Sequence, residues 1–181
     1  MIRSIAACAV LLLCTAAAAG DWKAAADRSL TFTGAYMGEP FQGRFGRFET
    51  SIHLDPANPG DAYIEARIDV ASASTSNEEY DATLHGGDFF DSREHPEALF
   101  VARNVRRTGE DRYEADGELT LRGRTVAVPF PFQFRIEDDR ARLTAKVTLR
   151  RLDFGIGAGD WADTDLIANE VEVGVDVPLT R

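Results

Sequence analysis

Apolar and polar residues alternate with period two over most of the chain. Ile64, Ala66, Ile68 and Val70 are separated by Glu65, Arg67 and Asp69. The same pattern runs through Ala115, Gly117, Leu119 and Leu121, with Glu114, Asp116, Glu118 and Thr120 opposite. Val126, Val128, Phe130, Phe132 and Phe134 form the longest stripe, followed by Leu143, Ala145, Val147 and Leu149, then Val171, Val173, Val175 and Val177. Each run predicts a strand with one apolar and one wet face, the pattern of an antiparallel sheet. A one-residue slip would turn a whole stripe to water, so Ile64, Ile68, Val70, Phe130, Phe132 and Phe134 are expected to face inward.

The alternation breaks at Asp55 to Gly60, Thr108 to Asp111, Arg122 to Arg124 and Glu137 to Asp139, all short and rich in turn formers. Connections this short predict antiparallel neighbours. One helix is predicted near Asn77 to Leu84, with Ser76 and Glu79 as a capping box and Gly86-Gly87 as its stop. A single helical turn is expected within the irregular stretch from Gly157 to Asn169. Roughly eight one-sided strands bury their stripes either as a barrel or as a sandwich. A closed eight-stranded barrel leaves a lumen just wide enough to be filled by side chains or by one ligand. With 11 phenylalanines in 181 residues, both a filled core and a ligand cavity remain open on periodicity alone.

Composition narrows the partners. The 30 acidic residues outnumber the 20 Lys and Arg, giving a net charge of −10, which disfavours nucleic acid and a polybasic lipid anchor, since both depend on clustered basic residues. Residues 1–19 have the three-part grammar of a signal peptide: basic Met1-Ile2-Arg3, an apolar run from Ile5 to Leu13, and an A-x-A site in Ala16 to Ala19. A membrane-spanning helix needs about twenty apolar residues, and this run is shorter. Cleavage near Ala18 or Ala19 is expected to leave a periplasmic or secreted domain of residues 20–181. It removes Arg3 and both cysteines, Cys8 and Cys14, taking the net charge to −11. The mature chain then has no disulfide and no thiol chemistry, and its stability must come from its core.

Catalytic signatures are absent from the sequence. His53, His85 and His95 are the only histidines and form no ligand pair at metal spacing. There is no G-x-S-x-G elbow and no phosphate-binding glycine loop. Asp88, Asp91, Asp160 and Asp163 read as solvated loop charge in an acidic protein. The expectation is a protein without catalytic residues, metal or cofactor.

Several segments resemble the YceI-like family of exported lipid-binding proteins. They are Asp69 to Asn77, Asp81 to Asp91, Gly43-Arg44-Phe45 with Phe48, Leu119 to Thr125, and Arg151-Leu152-Asp153-Phe154-Gly155. The resemblance runs from Asp27 to Val177 and implies a lipocalin-like, all-β antiparallel eight-stranded barrel with one or two short helices. It also implies a lumen holding a long isoprenoid, such as a polyprenyl phosphate or quinone-like molecule, or a similar amphiphile. Combining alternation with that resemblance, the expected lumen residues are Phe32, Phe45, Ile52, Ile64, Ile68, Phe89, Phe100, Leu119, Leu121, Val128, Phe130, Phe132, Leu143, Val147, Phe154 and Trp161. Gly159 to Thr164 looks closer to relatives associated with a membrane cytochrome of the b561 type, which makes such a cytochrome a candidate partner. Trp161 then serves either as a plug of the barrel end or as a docking residue. A homodimer stays open. Two positions depart from the family: His85 replaces a usual Arg or Lys, and Arg28 stands near a usual histidine.

Overall fold

The computed structural model describes residues 20–181; the expected signal peptide, with its cleavage site, lies outside the described residues. The strands are β1 (Asp21–Ala24), β2 (Ser29–Tyr36), β3 (Glu39–Phe45), β4 (Phe48–His53), β5 (Tyr63–Asp69), β6 (Ala73–Ser74), β7 (Glu97–Arg107), β8 (Arg112–Leu121), β9 (Arg124–Glu137), β10 (Arg140–Arg150) and β11 (Glu170–Thr180), with the helix α1 (Glu78–His85). All pairings are antiparallel.

The sheet closes into an eight-stave barrel. β1 and β2 both pair with β11 and form one stave interrupted at 25–28, while β4 pairs with β1 and β3 with β2, making a second stave broken at Gly46-Arg47. From β4 the order continues through β5, β7, β8, β9, β10 and β11 back to β1. Arg28 fastens the interrupted stave: its guanidinium donates to the Phe48 and Ala25 carbonyls and lies 5.2 Å from the Phe48 ring centre. Arg28 is therefore a clasp within the wall.

The tight turns follow the sequence where turn chemistry is explicit. Arg122 and Gly123 have φ of 50° and 70°, the doubly positive turn that matches the twist of a hairpin. Met37 and Gly38, with φ of 52° and 80°, form a second turn of this kind, which Gly38 alone hardly announces. The helix starts one residue later than its capping box suggested. Asn77 is the cap, its side chain accepting from the Glu79 and Tyr80 N–H groups. Ser76 is instead in the left-handed region at φ 65° and donates its N–H to Ser74 Oγ. The expected helical turn in the last irregular stretch is a 3-10 turn at Gly159–Trp161.

Every connection at one end of the barrel is short: Leu54 to Ala62, 108–111 and 138–139. The other end carries the two long connections, 70–96 between β5 and β7 and 151–169 between β10 and β11. These cover the opening.

Candidate functional site

The short-looped end is solid. Trp22 is buried, donates its indole N–H to the Leu54 carbonyl at 3.1 Å, and meets Phe134 edge-on at 5.6 Å. Tyr113 stacks on Phe132 at 5.4 Å, and Phe132 on Phe130 at 5.3 Å. Leu54, Val105, Ala141 and Leu179 fill the remaining space.

Moving along the strands, the interior changes from solid to hollow. In β10, Ala141, Leu143 and Ala145 are buried, whereas Val147 and Leu149 are only half-buried. Their partners in β11 repeat the gradient: Leu179 and Val177 are buried, while Val175, Val173 and Val171 are half-buried. All of these share one face by register, and Val147, Leu149, Val171, Val173 and Val175 turn their remaining surface into an internal cavity. That cavity is about 200 Å³ in volume. It is divided by rings, with Phe32, Phe45 and Phe90 within 5.4 to 6.3 Å of one another and Phe100 at 4.8 Å from Phe130. The result is a narrow, aromatic-walled channel.

Fourteen of the sixteen expected lumen residues line this space; Phe132 and Trp161 do not. Phe132 has the right face but the wrong depth, lying in the solid half against Tyr113. Trp161 belongs to the cover, where its ring meets Phe89 at 5.6 Å. Sequence reasoning missed Leu30, Phe41, Phe48, Phe90 and Val173, and also Thr50. Thr50 follows Phe48 and precedes Ile52 on the inward face of β4, so its register was the available signal. It places the one hydroxyl of the lining, and that oxygen is buried without a hydrogen-bond partner.

The cover is organised by Arg151, which is 4% exposed. All five guanidinium N–H groups are used on backbone carbonyls: Nε to Ala168, Nη1 to Ile156 and Gly157, Nη2 to Trp161 and Ile167, at 2.6 to 3.1 Å. Burial pulls its pKa below the ordinary arginine value, yet a guanidinium stays protonated in a protein. A second arginine, Arg122, ties the two long connections together by donating to the Gly87 and Gly155 carbonyls. The Gly157 N–H adds a 2.7 Å bond to Asp88 O.

The remaining candidates have structural places. His53 Nδ1 lies 2.9 Å from Asp21 Oδ1 on the outer wall. His85 ends α1 with Nδ1 buried and unpartnered, and the His95 ring packs beside Gly123. Among the described residues no group of three His, Cys, Asp or Glu side chains is placed to hold a metal, and none of the described helices is long and apolar enough to cross a membrane.

Comparison with known proteins agrees with this architecture. The solved structure of BcnA from Burkholderia cenocepacia superposes with a TM-score of 0.81 at 26% identity, covering 83% of this chain and 95% of that one. A polyisoprenoid binding domain from Saccharophagus degradans, implicated in plant cell wall breakdown, shares the fold at a TM-score of 0.66 and 17% identity, over 88% of this chain and 97% of that one. A UPF0312 protein of Pseudomonas putida is 34% identical over 138 residues, 72% of each chain. A UPF0312 protein of Vibrio cholerae is 27% identical over 94% of this chain and 97% of its own length. The YceI-like domain family matches residues 22–179, and with barrel, lumen and sequence in agreement the chain belongs to that family.

Proposed function

We propose that the protein is a carrier, without catalytic activity of its own, for a long-chain isoprenoid or similar amphiphile held in the barrel lumen. The observation that carries this reading is the hollow half of the barrel, where inward-facing aliphatic side chains retain surface with no protein to cover it. Open apolar surface inside a closed barrel costs dispersion contacts that a hydrocarbon tail restores. The relatedness to a polyisoprenoid binding domain supports the ligand class. An exported location follows the same reading, with the mature protein starting near Gly20.

Burying a forty-carbon tail from water is worth on the order of 30 kcal/mol at about 0.8 kcal/mol per methylene, more than any non-covalent complex displays. Water is the wrong reference. The lipid starts in a bilayer as apolar as the lumen, so the hydrophobic terms nearly cancel and the protein exchanges its ligand. Organic extraction of the purified protein followed by mass spectrometry is expected to return one long-chain amphiphile in stoichiometric amount. Repeated extracts without one would remove the reading.

A partnership with a b561-type membrane cytochrome is the second reading, favoured by the exposed segment Gly159 to Thr164 around the half-buried Trp161. Trp161→Ala is expected to lower recovery of such a cytochrome from solubilised membranes. Unchanged recovery with lowered thermal stability would leave Trp161 as a plug alone.

A further inference from the structure

Among the described residues two large hydrophobic side chains are exposed, Met37 at 67% and Tyr80 at 37%. Both sit at the covered end of the barrel, and local structure leaves Met37 unexplained. Met37 occupies the first position of the β2–β3 turn at φ 52°, where Asn, Asp or Gly is favoured and a long apolar side chain gains no packing. A position that breaks a local rule without a folding gain points to function. Tyr80 projects from α1 with its ring edge-on to Tyr36 at 6.4 Å and Phe41 at 6.0 Å.

These side chains continue into the lumen. Phe41 and Leu84 line the cavity together with Phe32, Phe45 and Phe90. An apolar path therefore runs from the exposed apex past Phe41 into the aromatic channel. The charge of the segments that flank it is one-sided. Segments 36–42, 77–85 and 157–169 contain no Lys or Arg but seven carboxylates: Glu39, Glu78, Glu79, Asp160, Asp163 and Asp165, with Asp81 turned to Ser74 and Thr75. The hairpin tip is held beside the last of these segments by the Met37 N–H to Leu166 O bond at 2.8 Å.

We infer that this apex, the β2–β3 turn with α1, docks the mouth of the barrel on a bilayer surface of zwitterionic lipid. Met37 enters the acyl boundary, and Tyr80 takes the interfacial position suited to an amphipathic ring. The surrounding carboxylates face the outward ammonium or choline ends of zwitterionic headgroups and are repelled by anionic ones. The lipid then passes along Phe41 without crossing water. The destination of that lipid rests on the lumen reading above, whereas docking itself does not.

Flotation of the purified protein with phosphatidylcholine vesicles, with and without phosphatidylglycerol, tests the inference without any lumen ligand. Wild type is expected to float with phosphatidylcholine and less with added phosphatidylglycerol, the deficit shrinking as salt screens the repulsion. Met37→Asn suits the positive φ, so its Tm should match or exceed wild type while vesicle recovery falls about tenfold, the factor that burial of such a side chain corresponds to. Equal recovery of the variant, recovery that rises with phosphatidylglycerol, or recovery only from vesicles containing a membrane protein would each overturn the inference. Those results leave the ligand extraction, and so the lumen reading, standing on its own.

Discussion

Gly43 is a glycine for reasons of space. It faces Phe32 across the β2–β3 pair, and a Cβ there would lie 2.2 Å from the Phe32 ring. Gly43→Ala is expected to cost about 1 to 3 kcal/mol by overpacking, read as a lower urea midpoint with an unchanged m-value. The resemblance to a G-R-F segment marked this position, but only the cross-strand register explains it. Arg151 was legible in the same partial way. Its R-x-D-F-G setting could be quoted from the sequence, whereas the convergence of five carbonyls from Ile156 to Ala168 depends on how the connection folds back. Arg151→Met, which leaves those carbonyls without donors, is expected to cost at least about 3 kcal/mol. Arg151→Lys, with three donors in place of five, should fall between that variant and wild type in the same denaturation experiment.

At the scale of elements, strands were readable because a half-buried strand repeats every two residues, and the short turns because their chemistry is local. The helix was readable in extent but not in its cap, since Ser76 and Asn77 both belong to the capping residue types and only the backbone at Ser76 decides between them. Asp81 shows what fixes α1 against the wall. Burial alone would raise its pKa, but hydrogen bonds from the Thr75 N–H, the Thr75 hydroxyl and the Ser74 hydroxyl outweigh it, and the pKa is lowered overall. A carboxylate with a depressed folded pKa contributes stability above its unfolded pKa, about 3.9 for Asp, and that contribution is lost as pH falls through the folded value. Asp81→Asn is therefore expected to be less stable than wild type at neutral pH and to converge with it as pH falls below the ordinary aspartate range. A stability difference independent of pH would remove the carboxylate from this role.

For the whole molecule, alternation marks which face points inward but not how deep the barrel is filled at a given level. The β10 and β11 stripes look uniform in sequence, yet one half is solid and the other hollow. Phe132 was misplaced for this reason, being inward but below the floor of the cavity. What decides the level is the set of rings meeting inside the barrel, Trp22 with Phe134 from non-adjacent staves and Tyr113 with Phe132 across the β8–β9 pair, and no spacing in the chain encodes the first of these meetings. The two halves should respond oppositely to substitution. Val173→Trp places a ring into open space beside Phe32, its neighbour across β2 and β11. It should fill the channel, leave thermal stability near wild type and bring extracted ligand close to zero. Phe134→Ala empties the solid half, where Phe134 is 2% exposed, and is expected to cost about 3 to 5 kcal/mol. Below its unfolding transition that variant should still yield stoichiometric ligand. If instead Val173→Trp retains its full complement of ligand, the lumen is not where the amphiphile sits.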